Sequence, residues 1–367
     1  MSKPIFIAAP IYRGSSYGRL HPLSIQRVPA VTDLCQALDW LPPDRYRTSP
    51  RAKPAAMTSF HTPAYLAALQ QAEDRQSASD EDRRRHGLGT LSNPVFPEMF
   101  RRPATAVGGG LLAAEHVAQG GVAYNPGGGT HHGFADRAAG FCYLNEPVLT
   151  IKRLLAMGLR RVAYVDIDAH HGDGVEAAFA GSEQVRMISV HEAKRWPFTG
   201  LLTDEAQGAA FNLPVPRGFH DDDFLFILNE LVLPAVQDFR PEAVFLQCGA
   251  DALTEDPLSR LCLSNRSHRA AVMALRGLAP RLIVSGGGGY NPWSVARCWS
   301  GVWAAIAGRE MPERLPDAAQ SVMRALSWHR KGQPSETLLT TLLDAPRHGT
   351  INPEIRQAVR HLGARLK

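Results

Sequence analysis

Near-unbroken apolar runs at 161–165, 185–190, 243–247 and 281–284 limit what this chain can fold into more than any other feature. A strand with one wet face alternates apolar and polar residues, whereas these runs do not alternate, so they suit strands covered on both faces. Helical patterns at 146–157, 221–239 and 267–278 fall between them. Strand, helix, strand in repetition predicts an α/β fold with a central, mainly parallel β-sheet flanked by helices on both faces. The apolar start at 5–9 reads as a first strand, too short and too proline-rich for a signal peptide. Residues 71–97 are polar and broken by Gly and Pro, which predicts a long surface loop, and two further helices are expected at 336–343 and 353–362. No repeat, low-complexity tract or linker divides the chain, so 1–367 is read as one domain that includes the helical segment 335–367.

Charge and cysteine usage remove several function classes. A formal charge of +5 on 367 residues is small. Its basic residues are mostly scattered Arg, and the one cluster, Arg83-Arg84-Arg85-His86, follows Asp80, Glu81 and Asp82 and reads as a solvated segment rather than a nucleic-acid patch. Five cysteines, odd in number and never in a C-x-x-C pair, fit neither a disulfide framework nor a thiolate zinc site. They suit a reducing compartment, so a cytoplasmic location is expected. No run approaches membrane-spanning length.

Chemistry concentrates where the apolar runs end. Val165 leads into Asp166-Ile167-Asp168-Ala169-His170-His171-Gly172-Asp173. Asp166, Asp168 and His170 share one parity, so an extended backbone turns all three to one side at the carboxyl edge where open α/β sheets gather ligands. A carboxylate and an imidazole two residues apart can ligate zinc, and acids ending an apolar strand are costly to bury without a cation. The run at 243–247 leads into Cys248-Gly249-Ala250-Asp251 and then Glu255-Asp256-Pro257. Asp256 can supply a third ligand or simply begin a turn. Gly127-Gly128-Gly129-Thr130-His131-His132 offers an imidazole for proton transfer near neutral pH, or two unrelated surface histidines. Ser285-Gly286-Gly287-Gly288-Gly289-Tyr290 lacks the G-K-[ST] of a phosphate loop and the spacing of a dinucleotide site. Its Tyr290 can donate to a developing oxyanion, or is a packed aromatic.

In this order, these segments resemble the histone deacetylase family, which includes bacterial acetylpolyamine and acetoin-utilisation-type relatives. Residues 57–66, the stretch Gly140-Phe141-Cys142-Tyr143-Leu144-Asn145, and His21-Pro22 with Arg27 extend the likeness over roughly 20–300. The resemblance implies an arginase/deacetylase fold and a zinc-dependent amidohydrolase. One zinc ion would be held by Asp168, His170 and Asp256. His132 would be the general base and later acid, His131 its electrostatic support, with Asp173 and Asp166 their respective partners. Tyr290 would polarise the scissile carbonyl. Phe141 would wall an acyl-lysine tunnel, Gly140 with Ala138, Ala139 and Arg27 would border its foot, and Ser92 and Asn93 would stand at the rim. A structural K+ or Na+ would sit at Asp166, Asp168, His170, Ser189 and the backbone of Val190, and a second monovalent cation at Phe179, Ser182 and Val185. The implied substrate is an acyl-lysine protein or peptide, or a small acylated amine such as an acetylpolyamine. Neither nucleic acid nor membrane is an expected partner, and a homo-oligomer is compatible with the reading.

Two competitors separate cleanly. An arginase-like binuclear ureohydrolase needs acids where this chain has Gly172 and Thr254. A deacetylase-like binding protein without turnover would be marked by a lost catalytic position, and every matched position here holds a competent residue. The family often places an Asp at the rim where Ser92 stands. The Gly-Gly-Thr-His-His form and Trp196-Pro197-Phe198 resemble bacterial and class IV-type members.

Overall fold

The computed structural model describes residues 3–330 and 333–366. Every predicted apolar run is a strand, and parity divides its residues between two cores. Val162 and Tyr164 pack on one face with Phe245 and Ile283, while Ala163 and Val165 pack on the other with Leu246 and Val284. Burial on both faces is therefore what removes polar residues from these segments.

Eight strands form the sheet: β1 (Ile5–Ala8), β2 (Tyr46–Thr48), β3 (Gly121–Asn125), β4 (Val162–Asp166), β5 (Val185–Glu192), β6 (Ala210–Val215), β7 (Ala243–Gln247) and β8 (Arg281–Ser285). Their order is β2-β1-β3-β8-β7-β4-β5-β6, and every pairing is parallel. The four strands whose ends carry the motifs lie far apart in sequence yet are consecutive in space, as β3-β8-β7-β4. Their register is level: Asn125 pairs with Ser285, Ser285 with Gln247, and Gln247 with Asp166. All four chains thus leave the sheet at one height, and their loops meet.

Helices cover both faces, and their ends follow capping rules. Asn145 caps Glu146–Ala156 by accepting the Val148 amide, and Asn291 caps Pro292–Ala307 by accepting those of Trp293 and Ser294. The predicted helix at 221–239 is present but contains a π-helical turn at Leu228–Val232 just before Pro234, whose ring nitrogen has no hydrogen to donate. The loop expected at 71–97 is corrected: the helix Pro63–Arg75 runs into it, and Asp80–His86 forms another with a Ser79/Asp82 capping box. Arg83, Arg84 and Arg85 lie exposed on that helix, while His86 is buried with its Nδ1 2.6 Å from the Asp136 carbonyl. No described helix is long and apolar enough to cross a membrane.

The C-terminal segment is tied to the sheet layer by a buried ion pair. Arg297 stands on the helix behind β8 and bonds Asp344, with Nε also donating to the Thr341 carbonyl at 2.7 Å. Asp344 in turn accepts the Asn265 amide at 2.9 Å. Removing one partner strands a charge in a dry site, so Asp344→Ala is expected to cost about 3–5 kcal/mol in urea-induced unfolding. A loss under about 1 kcal/mol would mean the pair does not anchor this segment.

Candidate active site

Where β4 ends, its carboxylates fold the chain around themselves. Asp166 Oδ1 accepts the Asp168 amide and Asp168 Oδ1 accepts the His170 amide, each at 3.0 Å. Residues after Asp166 therefore coil rather than continue the extended pleat that parity assumed: Asp168 lines the inner cavity and His170 the channel, while Asp166 is buried behind them against His131. The neighbouring β7 leads through Gly249 into a short 3-10 turn, Ala250–Ala252, that swings Asp251 against His170. Asp251 Oδ1 accepts the Ala169 amide at 2.9 Å, and Oδ2 lies 2.9 Å from His170 Nδ1. Donor atoms of Asp168, His170 and Asp251 all lie within 4.8 Å of one another. Two glycines make room for this: a Cβ on Gly249 would overlap Asp168 Oδ2, and one on Gly288 would overlap Asp251 Oδ2.

Asp256, the third ligand anticipated from sequence, is buried beside this cluster, with the charges of Asp251 and His170 both acting on its carboxyl. Its Oδ1 accepts the Leu258 amide at 2.9 Å and its Oδ2 the Tyr290 amide at 2.7 Å. Like Asp168, which accepts the His170 and Gly288 amides, it is held at one angle by backbone donors.

The charges gathered here call for a cation. Burial pushes the Asp251 carboxyl up, as does the charge of Asp168, and burial with the charge of Asp251 pushes Asp256 well up. Burial also acts on Asp168, but His131 and His170 outweigh it and hold that carboxyl well below its ordinary value. Buried carboxylates this close are stable as anions only with positive charge among them. Two carboxylates and one imidazole, on three buried residues, match the donor chemistry of a divalent zinc-type ion with an open position.

Two histidines flank the cluster in opposite protonation states. His131 Nδ1 lies 2.8 Å from Asp166 Oδ2, which also accepts the Tyr164 hydroxyl at 2.6 Å. His132 Nδ1 lies 2.7 Å from Asp173 Oδ1, and the two imidazole centroids are 4.0 Å apart. Burial lowers His131, but Asp166 and Asp168 outweigh it and its pKa is raised to about 9. Burial and the neighbouring His131 charge lower His132 to about 4. At neutral pH one ring is a cation and the other a base, the separation that acid–base sites use.

Access is through a channel of about 290 Å³ walled by Phe141, Trp196 and Leu258, with His132, His170 and Tyr290 at its inner end. Trp196 stands edge-on to His132, with centroids 4.6 Å apart. Phe141 meets Tyr290 edge-on at 5.8 Å. Gly140, at φ +51°, lies so close to Trp196 that a Cβ would overlap the indole. Beyond the cluster lies an inner cavity of about 50 Å³, lined among others by Tyr12, Arg27, Arg102 and Cys142. The Tyr12 hydroxyl and Arg27 Nε are buried there without a hydrogen-bond partner, while Arg27 Nη1 donates to the Gly287 carbonyl at 2.5 Å.

The remaining anticipated residues divide. Ser92 lines the channel. Asn93 does not: it is buried, and its Oδ1 accepts the Phe141 amide at 3.0 Å, so it braces the wall from behind. Gly140 and Arg27 line the inner cavity, and Ala138 packs behind it in the apolar cluster that also holds Tyr17, Tyr143 and Tyr290. Register sets Ser189 beside Asp166 and Val190 beside Leu213, and Ser189 Oγ lies 2.8 Å from His191 Nδ1. Ser182 is bonded locally, donating its amide to the Phe179 carbonyl and accepting the Val185 amide on Oγ. Sequence reasoning did not single out Asp251 as a member of the donor cluster, nor Trp196, Arg102 and Tyr12 as lining. Only Asp251 carried a usable signal, being the first acid after a buried strand.

Comparison with known proteins agrees with this geometry. The histone deacetylase domain matches residues 21–306. Putative histone deacetylase 2 of Caenorhabditis elegans is 34% identical over 312 residues, covering 82% of this chain and 61% of that protein. Acetoin utilization protein AcuC of Bacillus subtilis (strain 168) is 32% identical over 330 residues, covering 86% and 85%. The chain spans about three fifths of the nematode and rice relatives. Among solved structures, a histone deacetylase homolog from Aquifex aeolicus superposes with a TM-score of 0.94 at 33% identity, covering 99% of this chain and 100% of that one. A histone deacetylase homolog complexed with SAHA superposes equally well, at 34% identity.

Which carboxylate completes the site with Asp168 and His170 has a direct test. With Asp256 as the third ligand, Asp256→Asn is expected to weaken zinc binding by more than about 100-fold, and Asp251→Asn, which removes a partner of His170, by about 10–100-fold. Competition titration with a zinc chromophore measures both. The reverse order would make Asp251 the ligand.

Proposed function

Because the chain belongs to the histone deacetylase family, and is therefore read as a hydrolase, we propose that it cleaves the N-acyl amide of lysine or a related amine, with zinc as cofactor. The observation that carries this is one channel at whose inner end a neutral imidazole, a tyrosine hydroxyl and the Asp168–His170–Asp251 cluster converge.

Asp168 and His170 would hold the ion with Asp256 as the third ligand, or with Asp251, whose carboxylate lies nearest His170, and the ion would supply a Lewis acid and an acidified water to the reaction. The apolar walls Phe141, Trp196 and Leu258 take the methylene stem of the acylated amine and exclude bulk water. With Nδ1 donating to Asp173, His132 has Nε2 free to take a proton from the attacking water and later return it to the departing amine. Asp173 fixes the ring and its tautomer, as Asp166 does for His131, whose positive charge favours the negative charge that builds as the carbonyl is attacked. Tyr290 donates its hydroxyl to that oxygen as it becomes an oxyanion. The C–N bond breaks, and a carboxylate and a free amine leave. The inner cavity suits an acetyl or other short acyl group, and Arg27 Nε with the Tyr12 hydroxyl suits the carboxylate product.

A structural K+ or Na+ near Asp166, Asp168, His170, Ser189 and Val190 belongs to the same reading, supported by the register that joins β4 to β5. A second monovalent site at Phe179, Ser182 and Val185 has weaker support, because their polar groups already bond one another. Residues 1–367 are read as one catalytic domain, supported by the Arg297–Asp344 anchor.

The test is hydrolysis of a fluorogenic acetyl-lysine peptide and of small acetylated amines by zinc-loaded protein. Activity is expected to vanish with chelator, to fall about 10²–10⁴-fold in His132→Ala, and to fall about 10²–10³-fold in Tyr290→Phe. Zinc-loaded protein inactive on every acyl-amine offered would favour a binding protein instead.

A further inference from the structure

The channel opens among charges of a single sign. Among the described residues, no carboxylate lines the channel itself. Beside it, sharing Tyr290, is a cleft of about 110 Å³ lined by Arg19, Leu20, His21, Trp328 and Arg330 among others, with no acid among the described residues. The adjoining groove past Leu91 adds Arg83 and, among the described residues, no acid. Two of the mouth's arginines are already neutralised: Arg195 is held by Glu192 at 2.7 Å, and Arg83 faces Asp80 at 3.6 Å. Arg19 and Arg330 are different. Neither has an acidic partner among the described residues, and both are exposed in the cleft that reaches Tyr290.

The cleft also has fixed walls. Trp328 is braced edge-on by Trp293 at 6.1 Å, and the Arg330 guanidinium lies 5.9 Å from the Trp328 ring. His21 is stacked on Tyr17 at 4.9 Å and meets Phe141, the channel wall, at 4.5 Å. Leu20 is 90% exposed at its edge. Because the cleft and the channel share Tyr290, an amine whose acyl end lies in the channel can lay the far end of its carrier between these walls, near Arg19 and Arg330.

Resting on the deacylase reading, we propose that the native acylated amine carries a carboxylate at its far end, bound by Arg19 and Arg330. Guanidinium forks pair with carboxylates through two parallel hydrogen bonds, and they repel ammonium groups. The mouth therefore selects an acylated amino acid or an acid-bearing peptide over an acetylated polyamine. Because the arginines stand in water, the selection is modest and weakens with salt.

Three substrates of equal length test this on the zinc-loaded protein at low ionic strength: acetamidohexanoate, its primary amide, and monoacetylated hexanediamine. The carboxylate form is expected to exceed the ammonium form by roughly tenfold in kcat/KM, mostly through KM, with the neutral amide between them and the ratio shrinking as salt rises. In Arg19→Gln/Arg330→Gln the ratio should fall below about threefold, with the neutral amide cleaved as before. An ammonium substrate cleaved as well as the carboxylate, or a ratio untouched by the double substitution, would overturn the proposal while chelator-sensitive cleavage of the neutral amide left the deacylase reading intact. No cleavage of any of the three would overturn both.

Discussion

Everything at the carboxyl edge of the sheet answers to one electrostatic demand: carboxylates from β4 and from the loop after β7 are buried within bonding distance of a single histidine. Asp168 and Asp251 cannot remain anions in so dry a place without positive charge between them. The glycines at 249 and 288 let the backbones come that near. Donated amides hold each carboxylate at one angle, Ala169 for Asp251 and Gly288 for Asp168. Against its burial, His131 is raised by Asp166 and Asp168, and burial together with the His131 charge lowers His132. Asp168 thus belongs both to the donor cluster and to the surroundings of the acid–base pair beside it.

The fold brings these residues together through strand order rather than through sequence proximity. A chain that folds β3, β4, β7 and β8 into one consecutive set, level in register, delivers its glycine-rich loop, acid-rich loop and tyrosine loop to one spot. Buried braces then hold each loop from behind. Asp256 fixes Tyr290, Asn93 fixes Phe141, and Glu146 joins Gly129 to Ser285 through a carboxylate that accepts from both.

How much of this was legible in the sequence follows from which physics each residue obeys. The central strands were readable because two-sided burial keeps their middles apolar, with polar residues mostly toward their ends. β2, β3 and β6 were not: β2 has three residues, none buried, β3 is led by glycine, and β6 is an outer strand that contains Pro214. The helix Asp80–His86 hid because its charges resemble a solvated loop, although Ser79 and Asp82 stand at capping-box spacing. Among site residues, His131, His132, Asp166 and Asp173 pair as the family resemblance implied. Asp251 and Asp256 are five positions apart on one loop, and the turn after Gly249 that brings Asp251 against His170 leaves no record in residue spacing. Trp196, Tyr12 and Arg102 reach the site from segments with no motif of their own.

The most direct measurement of the central claim is anomalous diffraction at the zinc edge from crystals of the zinc-loaded protein. The account predicts a single strong peak bonded to Asp168, His170 and one further carboxylate, Asp256 or Asp251. A pair of strong peaks, or none at these residues, would contradict it.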